Sequence, residues 1–95
     1  MYKKDLARNV AESLNMKVKE VEAVLDNAFE TIVIAVAEGE DVQIAGLGKF
    51  ERVVSKGREG VIAFGDRAGQ HYKTEDKFSP KFRPAKGFKD TVASR

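Results

Sequence analysis

The chain has 95 residues, 42% of them hydrophobic, no cysteine and a formal net charge of +2. That length makes one domain with little interior to spare. The lack of cysteine excludes a disulfide framework and a thiolate metal site, and no apolar run approaches the ~20 residues that cross a bilayer. Lys3, Lys4 and Asp5 come at the very start and no long apolar run follows, so no secretory leader is expected and the expected compartment is the cytoplasm.

Leu6, Val10 and Leu14 recur every four residues with Ala7 and Ala11 beside them, a helical stripe over residues 3–14. Asn15, Met16 and Lys17 interrupt it. A second stripe runs through Val18, Val21, Leu25, Phe29, Ile32 and Val36. It marks a longer helix over residues 18–37, ended at Glu38-Gly39. From Ile32 to Ala37 that helix is apolar almost all round, so it needs cover on more than one side. One short partner helix does not supply it, and a second subunit is expected.

Val42-Gln43-Ile44 alternates as a strand, with Gly46 and Gly48 as turn residues. Phe50, Arg52 and Val54 continue the alternation in the next strand. Residues 55–77 carry Gly57, Gly60, Gly65 and Gly69, many charges and few large apolar side chains. They read as a two-stranded ribbon projecting from the body. Phe78, Pro80 and Phe82 return to the body, and Pro84 suits the first turn of a last helix reaching about Ala93. The expected class is α+β, in three parts: a helical dimerisation part over 1–40, a sheet with its arm over 41–83, and a C-terminal helix over 84–95.

Charge is unevenly spread. Residues 1–50 hold six Lys/Arg and nine Asp/Glu, whereas residues 51–95 hold eleven and six. The halves are therefore −3 and +5, and a polyanion meets the basic half, not the average. Arg52, Lys56, Arg58, Arg67, Lys73 and Lys77 lie on the expected arm. A ribbon of basic residues can follow a groove and meet phosphates on both strands, with affinity from released counterions. Lys81, Arg83, Lys86 and Lys89 belong to the body beneath it, as does Lys3. Gly46 and Gly48 permit close backbone approach, so their amides are candidate phosphate contacts.

Phe50, Phe78 and Phe82 occupy strand positions expected to face inward and are read as core, not as stacking platforms for single strands. His71 is the only histidine. No second histidine, cysteine or ordered carboxylate cluster accompanies it, so neither a metal site nor an activated nucleophile is expected. No cofactor is expected either.

With these residues in place, the chain resembles the bacterial HU and integration host factor family of DNA-bending proteins over essentially its whole length. The tightest blocks are Val42-Gln43-Ile44-Ala45-Gly46-Leu47-Gly48-Lys49-Phe50-Glu51 and Pro80-Lys81-Phe82-Arg83-Pro84-Ala85-Lys86-Gly87-Phe88-Lys89-Asp90. The resemblance implies an intertwined dimer whose helices form a base, whose sheets form a saddle and whose two β-arms reach around the DNA minor groove. It also implies that Lys3 and Lys86 contact the backbone of bent DNA. At the arm tip the family usually carries Arg-Asn-Pro, whose proline wedges between base pairs. Here the only prolines are Pro80 and Pro84. The segment from Gly60 to Gly69 is about three residues longer than usual. Ile62 and Phe64 are the apolar residues there able to act as wedges.

The expected function is thus a non-enzymatic, homodimeric, nucleoid-associated protein that binds double-stranded DNA with low sequence specificity and bends or compacts it. Two other readings stay open at this point. One is a sequence-preferring, integration-host-factor-like subunit that pairs with a second chain. The other is a protein-interaction module pairing with other nucleoid proteins.

Overall fold

The computed structural model describes all residues 1–95. Helix α1 spans Lys3–Leu14 and α2 spans Val18–Ala37, followed by strands β1 (Val42–Ile44), β2 (Gly48–Ser55), β3 (Glu59–Val61), β4 (His71–Lys73) and β5 (Lys77–Pro84), and by helix α3 (Lys86–Ala93). Both first helices coincide with the apolar stripes. Asn15 ends α1 in the left-handed region (φ 53°, ψ 50°), a conformation that asparagine tolerates better than most residues. Lys17 caps α2 without any side-chain hydrogen bond, as its chemistry implies.

α1 packs on α2 through Ala7, Ala11 and Val21, with Val10 and Leu25 at the margin. Only 5 of the 95 residues are buried. The chain is also extended. Its radius of gyration is 20.0 Å and its longest dimension 62 Å, where a compact domain of this length has a radius of about 12 Å. Apolar side chains that would fill a core lie open instead, among them Val33 at 66% and Phe78 at 63% exposure. Between α2 and the sheet runs an open apolar cleft of about 480 Å³, lined by Ile32, Val36, Phe50, Phe78 and Arg52 among others. Exposed apolar area on this scale marks an interaction surface. Sedimentation at micromolar concentration should therefore show about twice the chain mass, and a folded monomer there would contradict this reading.

β1, β2 and β5 form an antiparallel sheet in that order, while β3 and β4 form a separate two-stranded sheet. Residues 55–77 are thus not one continuous ladder. The break falls at Gly57, whose N–H goes to Asp76 Oδ1 at 2.6 Å instead of to a strand partner. A Cβ at Gly57 would lie 1.8 Å from the Thr74 carbonyl oxygen, so only glycine fits the pinch. The last helix also begins later than its proline suggests. Pro84 is the last residue of β5, paired with Gly48, and Ala85 is the helix cap. The β2–β5 register, a long-range constraint, claims Pro84 for the strand end, where its missing N–H costs nothing.

Candidate nucleic-acid interface

Pairing of β2 with β5 sets Lys49 opposite Arg83, Glu51 opposite Lys81, Val53 opposite Ser79 and Ser55 opposite Lys77. Side chains alternate between the faces of a sheet, so these residues share one face. Phe50, Phe82, Arg52, Pro80, Val54 and Phe78 share the other. The second face is apolar and turned toward α2. There Phe50 and Phe82 stack at 4.8 Å between ring centroids, and Phe88 from α3 meets Phe82 edge-on at 6.4 Å. The first face carries the cations.

The two sequence blocks meet at one end of this sheet. Ala85 donates its N–H to the Leu47 carbonyl at 2.9 Å. Gly46, Gly48, Lys49 and Arg83 line one shallow cleft of about 220 Å³ beside Ala85. Gly46 adopts φ +80°, the left-handed turn conformation that favours glycine. Gly48 is required for a different reason, since a Cβ there would lie 2.5 Å from the Arg83 carbonyl oxygen. Lys86 follows at the start of α3.

Glu51 organises the cations around it. Its side chain is only 14% exposed and pairs with Arg83 Nε and, at 3.6 Å, with Lys49 Nζ. Lys49 also reaches Asp41 at 3.3 Å. The hydrogen bond from Arg83 holds the Glu51 carboxyl below its ordinary value, with the Arg83 and Lys49 charges adding to it. A carboxyl whose value falls on folding stabilises the fold above its ordinary range. That contribution is present at neutral pH and is lost only as pH falls through the lowered value. Sequence pattern alone does not single out Lys49. Its signal is positional, because it stands directly across the ladder from Arg83.

On the helical base, Lys3 forms an ion pair with Asp26 of α2. The hydrogen bond and charge of Asp26 raise the Lys3 ammonium above its ordinary value, so it stays charged. On the arm, Lys73 pairs with Glu59 at 3.6 Å. Lys56, Arg58, Arg67 and Lys77, like Lys81 and Lys86, have no carboxylate within ion-pair distance. Arg58 is anchored through its backbone, with its N–H on Thr74 Oγ1 and its carbonyl accepting from the Thr74 N–H, both at 2.8 Å.

Arg52 does not join the arm cations. It faces α2, where its Nη1 donates to the Ala37 carbonyl at 3.1 Å and its guanidinium lies 3.9 Å from the Phe78 ring centroid. The register sets it between Phe50 and Val54 on the apolar face, at the root of the expected arm.

At the tip, Gly69 N–H bonds to the Ile62 carbonyl at 2.8 Å and Ile62 N–H to the Gln70 carbonyl at 2.9 Å. Gly65 and Gly69 turn the loop with φ of +84° and +89°. Ile62 is half-buried, whereas Phe64 is 88% exposed. The two candidate wedges are therefore not equivalent, and Phe64 is the exposed one.

A family model described as bacterial DNA-binding protein matches residues 1–93. The chain belongs to this family. It is 38% identical over 92 residues to DNA-binding protein HU of Thermotoga maritima, across 97% of this chain and 99% of that one. With DNA-binding protein HU 1 of Bacillus subtilis it shares 32% identity across the full length of both. Among solved structures it is similar to Anabaena HU cocrystallised with DNA, with a TM-score of 0.86, 34% identity and full coverage of both chains. Thermotoga maritima HU aligns with a TM-score of 0.66 at 35% identity, over 97% and 98% of the two chains. The helical pair, the sheet and the projecting arm are thus the family's architecture. No helix is long and apolar enough to cross a membrane.

Proposed function

We propose that the chain is a homodimeric architectural protein that binds double-stranded DNA along the minor groove with low sequence specificity and bends it. It carries out no catalysis and works on the nucleoid. The observation that carries this reading is the sorting of the β2–β5 sheet into an apolar face that lacks cover and a cationic face on which Lys77 and Lys81 have no carboxylate partner. A second copy covers the first, and DNA phosphates meet the second. Lys56, Arg58, Arg67 and Lys77 contact phosphates along the arm, and Lys81, Arg83 and Lys86 contact them on the saddle, with Lys49 added. The Gly46 turn brings backbone close to the same surface. Lys3 shares its charge with Asp26 and so contributes less to phosphate binding than the unpaired lysines.

The minor groove offers a degenerate pattern of base-edge groups, and an arm of point charges distinguishes sequences poorly. Unrelated duplexes of equal length should bind with equal affinity, and nicked or flexible duplexes more tightly, because they are cheaper to deform. Titration of fluorescent duplexes measures both. Affinity confined to one sequence would defeat the proposal. Glu51→Gln supplies a further check, since it releases Arg83 toward phosphate and leaves Lys49 paired with Asp41 alone. It should tighten binding on the order of tenfold at low salt and steepen the salt dependence.

A further inference from the structure

We propose that Arg52 is a positioning residue for the arm: it ties the last turn of α2 to the arm's root, sets the spread of the two arms, and makes no DNA contact itself. This rests on the two-armed dimer reading above.

Three features converge on its guanidinium. Ala37, the last residue of α2, accepts a hydrogen bond from Nη1 at 3.1 Å. A helix C-terminus carries partial negative charge that a cation stabilises. The last turn of α2 has no basic residue of its own, so the sheet supplies one. Phe78 offers its ring face at 3.9 Å. Gly39 runs past the same group at φ +91°, where a Cβ would lie 2.9 Å from Arg52 Nη2.

The position along the ladder gives the contact its consequence. Phe78 pairs with Val54, one rung before the β2–β5 ladder ends at Ser55 and Lys77. Arg52 and Phe78 are diagonal neighbours on one face, within reach of long and aromatic side chains. The bridge therefore joins the helical base to the sheet just where the arm departs. A guanidinium keeps its charge at any working pH, and a permanent charge in an apolar cleft is costly without partners. Its partners here are a carbonyl and a ring. Planar stacking with simultaneous donation is what arginine provides and lysine does not. The phosphate-facing cations occupy the opposite face of the same strands, so Arg52 is directed away from DNA.

Since the chain has no cysteine, Ala68→Cys places one spin label per protomer at the arm tip. The distance between the two labels in the dimer reads arm spread directly, well below the melting temperature. Arg52→Met should shift and broaden that distance, reduce DNA bending, and leave the slope of log affinity against log salt unchanged. Arg52→Lys, which keeps the charge and is the milder change for folding, should lie between the two. A slope shallower by about 2 per dimer, with the distance unchanged, would make Arg52 a phosphate contact and overturn the proposal. A lower melting temperature with unchanged distance and bend would reduce it to a stabilising contact, which also overturns it. Absence of any inter-label distance in the parent protein would instead defeat the dimer reading, and the proposal with it.

Discussion

Raising salt from about 50 to about 200 mM should weaken duplex binding by a factor of ~10³ or more, the loss expected when at least six phosphates are engaged. The dimer would bring Lys56, Arg58, Arg67 and Lys77 twice over, and none of these is paired with a carboxylate. Nothing within the chain offsets them, so their counterion release is realised in full on binding. Replacing Lys56 and Arg58 together by Gln removes four of these charges per dimer. Affinity near 0.1 M salt should fall on the order of 10³-fold, and the salt slope should become shallower by about 3 to 4. The loss should be uniform across unrelated duplexes. Lys73→Gln should cost less per charge, because Lys73 already shares its charge with Glu59. A salt slope near zero in the parent protein would show that the cationic face is not the binding face.

The helices were legible from local pattern because their signals are local. Apolar residues at Leu6, Val10 and Leu14, and at Val18 to Val36, reproduce the two helices to the residue. Asn15 supplies the stop between them, ending α1 in the left-handed region. The basic arm is legible from composition, since residues 55–77 hold many charges, four glycines and few large apolar side chains.

What escaped local reading depends on register and on single side chains acting across the sheet. Pro84 suits a helix start in isolation, but its pairing with Gly48 assigns it to β5. The arm's break at Gly57 is made by the Asp76 carboxylate, nineteen residues away. Charge groups Arg52 with the arm, although alternation with Phe50 and Val54 places it on their face. Charge suggested one partner and periodicity another, and the packed structure follows periodicity. Lys49 is illegible for the converse reason, because only the ladder reveals that it stands across from Arg83.

Phe64→Ser should reduce DNA bending, measured by fluorescence transfer between duplex ends, more than it weakens binding to a straight duplex. The two quantities separate because the arm's cations lie lower down, at Lys56, Arg58 and Lys77, and keep their phosphates in the variant. Phe64 is 88% exposed in a loop turned by Gly65 and Gly69, an arrangement that stabilises nothing within the chain. Apolar wedges that enter a base step unstack it at a cost of a few kilocalories per mole and recover that cost through the contacts a bent duplex permits. The step is cheaper to open at a nick or mismatch, so the parent protein's preference for such sites should shrink in the variant. Ile62→Ser should act differently. Ile62 is half-buried and its backbone closes the loop through Gln70 and Gly69, so its loss should loosen the tip and lower the bend less than loss of the ring. If both variants bend DNA as the parent does and keep its preference for nicked sites, the tip does not intercalate. The bend would then come from the charges of the arm and saddle alone.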